Sequence, residues 1–148
     1  MSFESTTMEH KTRVSIFMTK LARELMRRGK LHDNSKLKSP EREIYGANYE
    51  RLEKTTFGTD EYREILNDMK PAIEHHYKEN DHHPEHFEDG IFNMDLVQIL
   101  EMLVDITTTA IEKGNDPVDM LPTFMREKDI PENYYMILCN TIKHIKEL

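Results

Sequence analysis

The segment from Met94 to Lys113 constrains the fold of this chain more than any other. Its apolar residues cover most of the circumference of a helix and leave one narrow polar stripe. The members of that stripe, at spacings of three and four, are Gln98, Glu101, Asp105 and Thr108. No Lys or Arg lies between Met94 and Glu112. The pattern predicts a central helix whose polar stripe lines either solvent or a cavity.

Helical periodicity continues through most of the chain. It predicts a first helix over Met8–Arg28, with Gly29 as its stop, and a second from Ser39-Pro40-Glu41 to Lys54. A third helix begins at Gly58-Thr59-Asp60 and is reset at Pro71. Three more helices are predicted over Met94–Lys113, Asp119–Ile130 and Pro131–Leu148. Five glycines and no Trp argue against an all-β fold. We therefore expect an all-α fold of about five or six helices. Residues 1–148 are predicted to form a single domain, with a metal-ligand core at 8–113 and a C-terminal helical extension at 115–148.

The amino-acid composition limits which molecules the protein is expected to bind and where in the cell it is expected to lie. The net charge of -8 argues against a broad nucleic-acid surface, because Lys and Arg hold phosphate backbones. It leaves room for a small anionic substrate, whose charge a local metal ion neutralises. The single Cys139 excludes an intramolecular disulfide and fits a reducing compartment. No apolar run reaches the roughly 18 residues of a membrane span. We expect no membrane association and a cytoplasmic location.

Imidazoles and carboxylates are dispersed along the chain in a pattern typical of a metal site that the fold closes. They are His10, His32, Asp33, His75, His76, His82, His83 and Asp105. Successive residues of a helix point about 100° apart, so His75 and His76 do not face one site. The apolar stripe that contains Ile65, Met69 and Ile73 selects His76 as the inward-facing residue. These donors predict a catalytic metal site.

The order of these residues resembles the HD-domain superfamily of metal-dependent phosphohydrolases. His10, the dipeptide His32-Asp33 and Asp105 match its H…HD…D skeleton, and the resemblance covers about Met8 to Thr109. The run from His32 to Lys36 looks like the HDxxK form found in two-metal branches. The run from His75 to Pro84 is similar to their histidine-containing loop. The glycines of the Gly-Tyr-Pro signature are absent, so specificity for cyclic dinucleotides is not expected.

The resemblance implies an HD-like helical domain around the metal and a set of site residues. The implied metal ligands are His10, His32, Asp33, His76, His82, His83 and Asp105, which would hold one or two divalent ions (Mn, Fe, Co, Ni or Zn). Asp33 would bridge two ions because a carboxylate has two oxygens to share. Lys36 would contact the substrate phosphate. Glu101, one turn before Asp105, would orient a ligand or carry a proton.

The implied function is hydrolysis of a small phosphate ester, with a nucleotide as the expected substrate. A metal-bound water that loses its proton near neutral pH would be the nucleophile. Three alternatives stay open: a di-iron oxygenase, a non-catalytic module that binds or sequesters a nucleotide, and a structural helical protein with incidental histidines. The sequence does not decide the oligomeric state, and a homo-oligomer is one alternative.

Overall fold

The computed structural model describes residues 2–55 and 59–148, and all regular structure within them is helical. The helices are α1 (Phe3–Leu31), α2 (Glu41–Lys54), α3 (Asp60–Asp68), α4 (Lys70–Glu79), α5 (Leu96–Glu112), α6 (Pro117–Glu127) and α7 (Tyr135–Glu147). Short 3-10 turns occupy Asn34–Leu37, Pro84–His86, Gly90–Asn93 and Glu132–Tyr134. The prediction of an all-α fold is confirmed.

The described residues contain one helix more than the sequence predicts, because the stretch from Asp60 to Glu79 is divided. Met69 ends α3 and precedes α4, and Pro71 lies in the first turn of α4. Proline lacks the N–H that a helix interior needs, but the first turn of a helix tolerates it. The predicted reset at Pro71 is therefore confirmed. The proposed start at Gly58 lies outside the described residues.

The chain forms two compact units that meet at the peptide between His32 and Asp33. The first unit is α1, none of whose residues is buried. The second unit, Asp33–Leu148, holds α2 to α7. No helix in the described part of the chain is long and apolar enough to cross a membrane. The organisation of residues 1–148 as one domain stays a prediction.

The end of α1 differs from the prediction. Gly29 lies inside the helix, which continues to Leu31. A single Gly costs a helix only about 1 kcal/mol, so the turns on either side carry the helix through it. The left-handed residue that follows the helix is Asp33, with a φ of 55°. Aspartate tolerates this conformation better than most residues, and Asp33 is also a predicted metal ligand.

Helix α5 has clear start and stop signals. Asp95 accepts hydrogen bonds from the backbone N–H groups of Val97 and Gln98, and the Gln98 side chain accepts one from the Asp95 N–H in return. This reciprocal capping box satisfies N–H groups that a helix start otherwise leaves without partners. The helix ends before Gly114, whose φ of 73° suits glycine.

The main core of the second unit lies where α5, α6 and α7 pack together. Its buried residues are Ile91, Met94, Met102, Leu103, Leu121, Met125, Ile130, Leu138, Cys139 and Ile142. Cys139 is buried, as its apolar neighbours in the sequence predict. Helix α5 contributes one face to this core, whereas Val104 and Ile111 on its other side are exposed. The predicted central position of α5 is therefore correct for one face only.

Candidate metal centre

Four side chains of the second unit bring their donor atoms to one point. Asp33 follows α1, His76 lies on α4, and His82 and His83 lie on the polar loop after α4. One donor atom from each of the four lies within 4.8 Å of the others. His76 and His82 are 3% and 2% exposed, so water reaches these imidazoles poorly.

The separations between these donor atoms are short. Nε2 of His76 lies 2.9 Å from Nε2 of His83 and 3.4 Å from Oδ1 of Asp33. Nε2 of His82 lies 3.5 Å from the same Asp33 oxygen. Ligands about 2.1 Å from a common ion are about 3.0 Å apart at right angles and about 3.4 Å apart at tetrahedral angles. The observed separations therefore fit the edges of a coordination polyhedron around one divalent ion.

Glu41 holds His76 in the orientation that such a site needs. Nδ1 of His76 lies 2.9 Å from Oε2 of Glu41. An ionised carboxylate only accepts hydrogen bonds, so Nδ1 carries the proton and Nε2 keeps its lone pair. That lone pair is on the side of Asp33 and His83. A carboxylate behind a ligating histidine is a common device of metal sites, because it sets the tautomer and raises the basicity of the ring.

Glu41 is fully buried and contacts two further side chains besides His76. Its Oε1 lies 2.7 Å from Nδ1 of His75, and its Oε2 also accepts a hydrogen bond of 2.9 Å from the Ser35 hydroxyl. Burial alone would raise the pKa of Glu41, but the hydrogen bonds from His75, Ser35 and His76 hold that pKa below its ordinary value. The carboxylate is therefore charged at neutral pH.

A second carboxylate stands behind His82. Nδ1 of His82 lies 3.4 Å from Oε1 of Glu101. The other ring nitrogen, Nε2 of His82, faces Oδ1 of Asp33. It also lies 4.0 Å from Oδ2 of Asp105. Two of the three imidazoles at the centre thus have a carboxylate at the opposite nitrogen. Glu101 thus lies where an orienting residue for His82 would lie, and its role stays a prediction.

His83 is held neutral by its surroundings. Burial, with the nearby imidazoles of His82 and His76 as further causes, lowers the pKa of His83 to about 3. A metal ligand must be deprotonated. His83 therefore needs to lose no proton before it binds an ion at neutral pH.

Lys36, predicted to contact the substrate phosphate, lies beside the centre. Its Nζ donates a hydrogen bond of 2.6 Å to Oδ2 of Asp33, and it stands 5.5 Å from the centroid of the Tyr45 ring. The Lys36 side chain is 38% exposed. It thus combines a contact with a central carboxylate and access to solvent, which a residue that binds an incoming anion requires.

The other predicted residues have different surroundings. His76 is buried and His75 is partly exposed, as the helical phase predicts. His86, a histidine of the same loop that is not among the predicted ligands, is exposed, and its Nδ1 contacts the backbone oxygen of Tyr77 at 2.9 Å. Asp105 is half-buried beside His82. These four residues all lie in the second unit.

His10 and His32 belong to the first unit. His32 is the half-buried residue that caps the end of α1, and His10 is exposed in the N-terminal third of that helix. The spacing of His10 with Val14, Phe17 and Leu21 predicts an inward-facing stripe, but α1 buries none of its residues. Ligation by His10 and His32 stays a prediction.

Sequence reasoning missed three residues that support the centre: Glu41, Ser35 and Asn80. Asn80 donates hydrogen bonds of 2.7 Å to Oγ of Ser35 and 2.8 Å to the backbone oxygen of His76. Glu41 follows a proline at the start of α2, where an acidic residue is favoured by the helix dipole in any case. Its sequence position therefore carries no signal of a buried, histidine-binding carboxylate.

The second unit thus belongs to the class of helical domains with a histidine- and carboxylate-lined centre suited to a divalent metal. The chain itself belongs to the family of unknown function DUF5662, which it matches over residues 1–144. No curated protein and no solved structure matches the chain.

Proposed function

We propose that this protein is a metal-dependent phosphohydrolase that cleaves a small phosphate ester with water. The observation that carries the proposal is the convergence of Oδ1 of Asp33 with three imidazole nitrogens from His76, His82 and His83. Further support comes from the carboxylates behind two of these rings, of which Glu41 is buried and Glu101 is partly buried. An incidental cluster of surface histidines has no reason to acquire such partners.

In this proposal Asp33, His76, His82 and His83 would hold a divalent ion, with Asp105 as a further ligand, since its Oδ2 lies 4.0 Å from Nε2 of His82. Nitrogen-rich donor sets with carboxylates suit Zn, Fe, Mn, Co or Ni. When bound, such an ion lowers the pKa of a water molecule and polarises a phosphoryl oxygen. Glu41 and Glu101 keep the imidazoles in place during the reaction.

The reaction is a substitution at phosphorus. The oxygen of the attacking water bonds to phosphorus, the ester P–O bond breaks with its electron pair on the departing oxygen, and the water's proton ends on the departing alcohol. Lys36 offsets the negative charge that builds on the phosphoryl oxygens. The HD-like order of His32, Asp33 and Lys36 supports this chemistry and makes a nucleotide the first substrate to test.

The test is a phosphate-release screen over nucleotides and other phosphate esters with Mn²⁺, Co²⁺, Ni²⁺ and Zn²⁺. The decisive variant is Asp33→Asn, because asparagine tolerates the left-handed φ of 55° at this position and replaces the charged carboxylate with a neutral amide of the same shape. We expect phosphate release to fall by at least about 100-fold.

Asp129→Asn is the matched control, since Asp129 has a φ of 51° and follows α6. This variant should retain the activity of the wild type. Equal activity in Asp33→Asn and wild type would overturn the proposal, and so would the absence of phosphate release with every ester and ion.

A further inference from the structure

A cavity of about 770 Å³ lies between α5 and α6, beside the candidate metal centre. His83 and Asp105 form part of its wall, so the cavity reaches two residues of the centre. Pockets for small molecules in proteins have volumes of about 300–1,000 Å³. The cavity is therefore large enough for the body of a substrate as well as a phosphate group.

Most of the cavity wall is apolar. Met102, Ile106 and Ala110 recur every four residues on α5, so one face of that helix forms one side. Leu121 and Phe124 of α6 form the opposite side. The apolar wall adjoins the metal centre, because Met102 and Ile106 line the same cavity as His83 and Asp105. A substrate group held against this wall gains free energy if it is apolar and loses hydrogen bonds to water if it is polar.

One cation of the wall lies close to the centre. Nζ of Lys128 stands 4.9 Å from the centroid of the Tyr77 ring and donates hydrogen bonds to the Tyr77 hydroxyl and to Glu85. The Tyr77 ring in turn lies beside the metal centre, because its centroid is 5.0 Å from that of the His83 ring. The Lys128 side chain is only 17% exposed. Lys128 is paired with Glu85, so this partly buried ion pair adds little net charge to the cavity.

We propose that this cavity binds the organic body of the substrate, and that the substrate class is a phosphate monoester whose alcohol carries an aryl-sized group. The placement of the substrate phosphate at the metal centre rests on the proposed function. The phosphate lies at the metal centre near Asp105 and His83, and the apolar body extends along α5 toward Ala110. A phosphate ester whose alcohol carries only hydroxyls would set them against Met102, Ile106 and Phe124 and would bind weakly, whereas the base of a nucleotide is itself aryl-sized.

The test uses phosphonates, which bind as phosphate esters do and are not hydrolysed. Binding of 1-naphthylphosphonate and methylphosphonate to the manganese-loaded protein is measured by calorimetry. We expect the naphthyl compound to bind at least about tenfold more tightly. Met120→Ala shortens a partly exposed side chain of the cavity wall and should weaken naphthylphosphonate binding about threefold to tenfold, without changing that of methylphosphonate.

Met136→Ala is the matched control, because Met136 is exposed on α7 away from the cavity wall. It should leave both affinities unchanged. A further titration of metal-free protein with 1-naphthol, which contains no phosphorus, depends on the cavity alone and should show the same response to Met120→Ala.

The outcomes separate this inference from the proposed function. Equal affinity for the two phosphonates, no binding of either, or equal effects of Met120→Ala and Met136→Ala would overturn the assigned substrate class. Selective binding of the naphthyl compounds without any turnover of 1-naphthyl phosphate would instead support the cavity and contradict the phosphohydrolase.

Discussion

The buried carboxylate of Glu41 accepts a hydrogen bond of 2.9 Å from Nδ1 of His76 and thereby directs Nε2 of that ring toward Asp33. These two residues lie on α2 and α4, so their contact also joins two helices of the second unit. Without its partner, the His76 ring could adopt either tautomer. The contact therefore links the packing of the helices to the chemistry of the centre.

The first prediction concerns this contact. Glu41→Gln should weaken binding of Mn²⁺ or Zn²⁺ about 10-fold to 100-fold, the usual effect of losing a carboxylate behind a metal-binding histidine. The amide keeps the shape of the side chain but has only one oxygen to accept from His75, His76 and Ser35. The dissociation constant is measured by competition with a chelating dye.

Glu43→Gln provides the control, since Glu43 lies on the same helix with an exposed side chain. It should bind metal as the wild type does. Wild-type affinity in Glu41→Gln would show that the carboxylate has no part in metal binding.

The second prediction compares two histidines of one loop. A ligand that binds only the folded state stabilises it, by about 2.7 kcal/mol at 100 times its dissociation constant. Added Zn²⁺ should therefore raise the free energy of unfolding of the wild type and of His86→Ala. It should raise that of His83→Ala much less, because His83 faces His76 Nε2 whereas His86 contacts a backbone oxygen.

The measurement is urea unfolding followed by circular dichroism, with and without the metal. If His83→Ala and His86→Ala respond to Zn²⁺ alike, then the ion binds elsewhere and the centre is incorrectly assigned.

The third prediction concerns pH and the C-terminal helices. Nζ of Lys146 donates a hydrogen bond of 2.6 Å to Oδ2 of Asp116, which also caps the start of α6. The hydrogen bond from Lys146, with that from the Val118 N–H next, holds the pKa of Asp116 below its ordinary value of 3.8. A carboxyl group whose pKa is lower in the folded state stabilises the fold above its unfolded pKa. That contribution is lost as the pH falls through the folded pKa.

Lys146→Met should therefore move the pKa of Asp116 upward, toward 3.8. The check is an NMR titration of the Asp116 carboxyl carbon between pH 2 and 6. Lys143→Met changes an exposed lysine of the same helix and should leave the titration unchanged. An unaltered Asp116 titration in Lys146→Met would contradict the prediction.

Local sequence patterns predicted most of the helices, because the spacing of apolar residues and the capping residues act within a few turns. Helix α5 lies between Asp95 and Gly114, close to the predicted range Met94–Lys113, and Pro71 lies in the first turn of α4. The errors are also local in origin. Gly29 resembles a stop, but the favourable turns around it continue the helix to Leu31.

The sequence by itself determined the all-α class and selected His76 over His75, since both follow from the periodicity of one helix. It also identified Asp33, His82, His83 and Glu101 as candidates by residue type and order. Only the tertiary structure decided which of them meet and which carboxylates stand behind them. Glu41 is 35 residues from His76 in the chain, and a contact at that separation depends on how α2 packs against α4. No short-range pattern encodes such packing, so the buried partner of His76 becomes visible only in the fold.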